Sequence, residues 1–264
     1  MEELLDLARA WAEDQPALTE SVDQGRVNRE RVSLYVAEDR VPPSLPPGPD
    51  ADPDRARHLF LVEFARGNPA LALTHWRNRP FDPVGPVDLA ALGEVLAEAG
   101  DPSALQAIER LSAFEPVEAI AIEARLRLRQ GDPAWAARLL EQAFVAYRTD
   151  PWPLRLVMGR ALELCKEVAA REKALGKRLY RAIREPFAVG ALEEARRMAA
   201  VAIADSEDCV DAFSSLEPFV PWQRGLLMAR ELCYRQAGDP RHTQAAKDLI
   251  EFLENEPRPF GWTR

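Results

Sequence analysis

The sequence predicts an all-α fold: a right-handed superhelical solenoid of about six helical hairpins, preceded by a short irregular lead segment. Three observations predict it. Seven acidic-proline pairs (Asp52-Pro53, Asp82-Pro83, Glu115-Pro116, Asp150-Pro151, Glu185-Pro186, Glu217-Pro218 and Glu256-Pro257) place successive prolines 30, 33, 35, 35, 32 and 39 residues apart. A second marker falls about midway in several of these intervals: Gly67-Asn68-Pro69, Gly100-Asp101-Pro102, Gly131-Asp132-Pro133 and Gly238-Asp239-Pro240. Between markers the apolar residues recur at helical spacing. Glycine supplies the left-handed residue that closes a helix, Asp or Asn caps the next, and proline fits its first turn. Each Gly-Asp/Asn-Pro is therefore read as the joint within a hairpin, and each acidic-proline pair as the joint between hairpins.

The lead segment is residues 1–40, too short to hold its own core. Within it, 2–13 reads as an amphipathic helix with Leu4, Leu5, Ala8 and Trp11 on one face, and 31–36 alternates like a short strand. Residues 41–53 carry six prolines and read as an extended, stiff linker. The repeat domain spans 54–257. In it 87–99 aligns Leu89, Leu92 and Leu96, with Gly93 admitting a close neighbour; 102–113 aligns Leu105, Ile108 and Leu111; 133–147 aligns Ala136, Leu140 and Phe144. Helices are expected near 153–168 and 171–184, a turn at Asp205-Ser206-Glu207-Asp208, and a last hairpin of 221–237 with 240–254. An alternative hairpin joint at Gly190 would shift the boundaries across 166–205 and keep the fold class. A tail, 258–264, carries Trp262, expected to fold back as a cap. Trp76, Trp135, Trp152 and Trp222 are expected to pack between helices.

Residues 87–116 resemble a tetratricopeptide repeat through Leu89, Leu92, Gly93, Leu96, Gly100-Asp101 and Pro116. Residues 117–151 resemble one through Ala124, Gly131-Asp132, Ala136, Ala143 and Pro151. The resemblance implies a curved array whose first helices line a concave, partner-binding face. Separately, RVNRERVSLYVAEDRV at 26–41 is similar to the tail of bacterial aminopropyltransferase-like (spermidine synthase-like) proteins, some of which continue into helical repeats. It implies a regulatory or oligomerising appendage of a larger enzyme. No catalytic residue carries over.

Net charge is −9, which argues against general nucleic-acid binding, since that needs an excess of Lys and Arg. No run of 18 apolar residues is present to span a membrane. The Met1-Glu2-Glu3 start lacks a basic region followed by an apolar run, so no secretory leader is expected. Three separated cysteines without a CxxC suggest a reducing, cytoplasmic setting, with all three buried as small hydrophobes and neither disulfide nor zinc. Richness in Ala and Arg suggests a bacterial source. No nucleotide-binding, hydrolase or metal-protease motif occurs, so no catalytic residue, cofactor or metal is expected. His58, His75 and His242 fall in three different helices.

Counting back from each glycine joint puts Arg57, Leu61, Phe64, Glu94, Arg125, Leu128 and Arg235 on the concave face. The expectation is a non-enzymatic protein–protein interaction module or scaffold whose groove takes a segment of another protein with acidic and apolar side chains. Lys173, Lys177, Arg181 and Arg184, with Arg178 beside them, form a basic ridge on one helix, a second candidate dock for acidic groups. Oligomeric state is left open.

Overall fold

A computed structural model describes residues 24–43, 53–83 and 85–255. Within them the chain is all-α, with thirteen α-helices and no strand. They are α1 (Gln24–Ala37), α2 (Pro53–Ala65), α3 (Pro69–Asn78), α4 (Pro86–Glu98), α5 (Ala104–Ser112), α6 (Pro116–Arg129), α7 (Pro133–Ala146), α8 (Arg155–Arg171), α9 (Lys173–Ile183), α10 (Glu193–Ile203), α11 (Cys209–Ser214), α12 (Arg224–Ala237) and α13 (His242–Asn255). The expected helix at 2–13 and the tail with Trp262 lie outside the described residues, as does most of the proline-rich linker.

The glycine joints are formed as local chemistry requires. Gly67, Gly100, Gly131 and Gly238 all have positive φ, from 67° to 87°. Each follows the last turn of a helix, and each donates its N–H to the carbonyl three residues back. The next N–H reaches the carbonyl five back: Asn68 to Glu63, Asp101 to Leu96, Asp132 to Arg127, Asp239 to Tyr234, all 2.9–3.0 Å. This paired pattern closes a helix by satisfying its orphan carbonyls. A side chain with Cβ would be strained at these positions. Asp132 then caps α7 by accepting the Trp135 N–H at 2.8 Å. Proline opens α2, α3, α4, α6 and α7. For α4 it is Pro86 and not Pro83, so the acidic-proline pair at 82–83 lies three residues upstream of the helix. The Gly190 joint becomes a single 3-10 turn, Gly190–Leu192, that leads into α10, so this helix starts well after Pro186.

Sequential helices pair: α2 with α3, α4 with α5, α6 with α7, α8 with α9 and α12 with α13. First helices also meet one another along the chain, α2 with α4, α4 with α6, α6 with α8 and α8 with α10. Gly93 sits at one such contact: a Cβ there would lie 3.4 Å from Ile122 Cγ2, so α4 and α6 approach closely because residue 93 has no side chain. One continuous core runs from Val32 to Ala212, and a smaller cluster gathers Phe213, Leu227, Tyr234 and Ala245.

Four expectations need correction. Residues 31–36 are helical, not extended, because Val32 and Val36 share a stripe at i, i+4 and bury together. The lead segment is not held away from the repeats: α1 packs on α2, α4 and α8, and the Pro43 carbonyl lies 2.9 Å from His58 Nε2. Of the tryptophans, Trp76 is half-buried, but Trp135, Trp152 and Trp222 are exposed, Trp152 at 84%. Trp135 is flanked by the guanidinium groups of Arg127 and Arg138, 5.1 and 5.0 Å from its ring.

The cysteines divide. Cys165 is fully buried as expected, and burial raises its thiol well above the usual range. Cys209 and Cys233, however, form a disulfide between α11 and α12, with Cα atoms 6.2 Å apart. Their separation of 24 residues hid a pairing that only packing of the smaller cluster creates. Closing a loop of that length stabilises by roughly 3 kcal/mol. Replacing both cysteines with serine should lower stability by about that amount in urea titration, with the loss confined to residues beyond α10 in hydrogen exchange. Titration of three free thiols in the untreated, unfolded chain would contradict the bond.

Candidate functional site

Six of the seven residues that sequence spacing assigned to a groove lie on the row formed by α2, α4, α6 and α8. Contacts between these helices make residues about one repeat apart neighbours. Arg57 on α2 meets Asp88 on α4, with Nε and Nη2 each 2.7 Å from a carboxylate oxygen. Its Nη2 also donates to Ser33 Oγ of α1 at 2.7 Å, and Nη1 reaches the Arg29 carbonyl at 3.4 Å. Arg125 on α6 pairs with Glu94 at 2.6 Å and Glu98 at 2.8 Å on α4, and donates to the Arg160 carbonyl on α8. Arg129 bridges Glu98 and Glu167, linking α4, α6 and α8. Burial would raise the Glu98 carboxyl, but hydrogen bonds from Arg129 and Arg125 outweigh it and hold the group below its usual range.

Phe64 carries a longer link. Arg160 on α8 donates to its carbonyl at 2.8 Å and lies over its ring at 3.9 Å. The first and fourth hairpins therefore touch across 96 residues of sequence. Onto this row α1 adds Val32 and Val36, both buried, and Ser33.

The predicted groove residues are thus largely core. Arg57, Leu61, Phe64, Glu94, Arg125 and Leu128 are all buried, at 8% exposure or less. They were expected on an open face, but stacking of α2, α4, α6 and α8, the α1 helix and the α2–α8 contact bury them. Arg235 is different: it is exposed on α12 and approaches Glu231 of its own helix, at 3.5 Å.

The basic ridge is real as a stripe on α9 but is largely paired. Lys177 contacts Glu207 at 2.5 Å, and that hydrogen bond raises its ammonium. Arg178 makes a two-pronged contact to Glu141 of α7 at 2.6 and 3.1 Å. Arg184 approaches Glu185 at 3.4 Å. Lys173 and Arg181 are exposed. The neutralising acids are 30 and 37 residues away in sequence, about one repeat in either direction. Local reading could not see them, although scanning for opposite charge at the repeat pitch would have found them.

Comparison of the chain with protein-family models, with curated proteins and with solved structures found no match. Interpretation therefore rests on the geometry. Among the described residues no group of three or more His, Cys, Asp or Glu side chains is placed to hold a metal ion. No helix among them is long and apolar enough to cross a membrane. His58 is buried and bonded to backbone, and burial lowers its imidazole.

Sequence reasoning missed one buried ionisable group, Glu118. It sits in the first turn of α6 at 0% exposure, with Oε1 accepting the Leu154 N–H at 2.9 Å and Oε2 unpartnered. Burial pushes its carboxyl up to about 7, with Glu115 and Asp150 adding to the rise. The Tyr147 hydroxyl is likewise buried without a partner. A charged residue in the first turn of a helix ordinarily reads as solvated and dipole-favoured, which is why the sequence carried no warning.

Proposed function

We propose that this chain is a non-enzymatic protein-interaction module: a tetratricopeptide-like, right-handed superhelix of hairpins whose row of first helices receives a helical segment of another protein. The observation that carries this reading is α1 itself. A short helix already lies on α2, α4 and α8, held by two valines at i, i+4 and by a hydroxyl on Arg57. It defines the chemistry the row accepts: β-branched apolar side chains one helical turn apart, with a hydroxyl or carboxylate beside them to meet the guanidinium. A partner segment with acidic and apolar side chains fits that description. The reading concerns protein partners and not nucleic acid, for the net charge of −9 opposes phosphate binding. A cytoplasmic setting is retained only as far as the Cys209–Cys233 bond allows, since disulfides persist in oxidising compartments.

The test uses α1 in trans. A protease site is inserted between residues 44 and 52, the intact protein is cleaved there, and a fluorescein-labelled peptide covering 24–43 is titrated in. Saturable exchange measured by anisotropy is expected. A peptide with Val36→Asp should bind about tenfold more weakly or worse, because an unpaired charge would be buried. If the cleaved protein takes up no labelled peptide, or takes up both peptides equally, the row is not a helix-docking surface.

A further inference from the structure

Three guanidinium groups on the row of first helices meet carboxylates: Arg57 with Asp88, Arg125 with Glu94 and Glu98, and Arg129 with Glu98 and Glu167. Arg160 on α8 does not. Among the described residues it makes no ion pair, and its contacts are the carbonyl of Phe64 at 2.8 Å and the face of the Phe64 ring at 3.9 Å. Burial lowers the Arg160 guanidinium, while Glu94, itself held by Arg125, and Asp39 pull the other way. A cation partly withdrawn from water is best compensated by a carboxylate in direct contact.

The turn after α1 holds a matching acid. Asp39 has φ 57°, the one positive φ outside glycine among the described residues. It closes α1 as glycines close α2, α4, α6 and α12: its N–H reaches the Val36 carbonyl at 3.0 Å, and the Arg40 N–H reaches the Tyr35 carbonyl at 2.8 Å. The left-handed conformation is unfavourable for an L side chain, although Asp tolerates it better than most, so closure alone would call for glycine here too. What Asp39 adds is an exposed carboxylate. Register explains its place. Val36 of α1, Phe64 of α2 and Val157 of α8 line one small apolar space. Asp39 and Arg160 each follow three residues after those valines, one turn further along. We infer that Arg160 receives a carboxylate of the partner helix, so that the row reads two β-branched residues four apart and an Asp or Glu three residues after the second. The α1 segment carries that pattern itself as Val32, Val36 and Asp39. This assignment rests on the reading of the row as a helix-docking surface. The Phe64 ring and carbonyl hold the guanidinium in place, and its Nε and Nη1 groups remain for an incoming carboxylate.

The experiment takes the full chain, cut between residues 44 and 52, and titrates it with the labelled 24–43 peptide and with the same peptide carrying Asp39→Asn. Asn keeps the left-handed turn and the shape of the side chain and loses the charge. The unaltered peptide should bind about fivefold more tightly by anisotropy, the worth of one partly exposed ion pair. On Arg160→Gln protein the two peptides should bind alike. The pair of titrations on wild-type protein decides the matter even if that variant fails to fold. Equal affinity of the two peptides for the wild-type protein would overturn the assignment and leave the row a docking surface. Uptake of neither peptide would remove the docking surface and the assignment together.

Discussion

Arg57→Ala is expected to destabilise the protein by about 3–5 kcal/mol, because it removes the two-pronged guanidinium contact to a buried carboxylate. Asp88 is 1% exposed, and Arg57 grips both of its oxygens at 2.7 Å. Removing the guanidinium also removes the donor to Ser33 Oγ, so α1 should loosen with the same substitution. Replacing both members, Arg57→Met with Asp88→Leu, should recover much of the loss, since neither buried charge of the pair then remains. Urea unfolding followed by circular dichroism measures the three variants, and hydrogen exchange over 29–37 reports on α1. A single-variant loss below about 1 kcal/mol, the range of exposed ion pairs, would show that the pair is not buried in solution.

Glu118 should make stability fall as pH rises. The sign follows from which state releases its proton first. In the unfolded chain the carboxyl titrates near 4.5, and in the folded protein near 7. Below 4.5 both states are protonated and nothing is gained or lost. Between these values the unfolded state is ionised while the folded state still holds its proton, so each step up in pH favours unfolding. Above 7 the loss is complete, at about 3 kcal/mol for a difference of this size. Glu118→Gln cannot ionise and escapes that loss. The stability of the variant relative to wild type should therefore climb by about 3 kcal/mol from pH 4 to pH 8, in urea titrations run at each pH. Other titrating groups are common to both proteins and cancel. A difference that stays flat across that window would mean that water or movement of Tyr147 or Asp150 relieves the carboxylate. That difference is a better probe than the wild-type profile alone, which also contains the lowered carboxyls of Glu98 and Asp239.

The parts of the fold that could be read from sequence are those fixed by short-range sterics. Gly67, Gly100, Gly131 and Gly238 take positive φ because L side chains resist it, and that requirement is written in the residue itself. The turn at 205–208 follows likewise, with Asp205 accepting the Glu207 and Asp208 N–H groups. Residues 31–36 show the opposite case. Alternating residues there are compatible with a strand, and helix wins only because α2, α4 and α8 together offer a surface for Val32 and Val36.

The candidate site was half legible. Counting back from the glycines selected seven residues for an open groove, and six of them are buried instead. The counting could not tell a groove from a core. Openness of that face depends on contacts between distant helices, such as Arg160 with Phe64 across 96 residues, and on whether another segment lies on it. The same limit applies to the ridge on α9, where Glu141 and Glu207 arrive from neighbouring hairpins.

By itself, the sequence determined that the chain is helical, where the glycine-closed helices end and how most consecutive helices pair, since each follows from backbone conformation and apolar period within a few residues. Tertiary structure alone decided what covers those faces: that Arg57 would meet Asp88, that Cys209 would find Cys233, and that α1 would occupy the row of first helices. Contacts of that kind join residues a repeat or more apart, and their strength comes from desolvation, which exists only once the chain has closed around them.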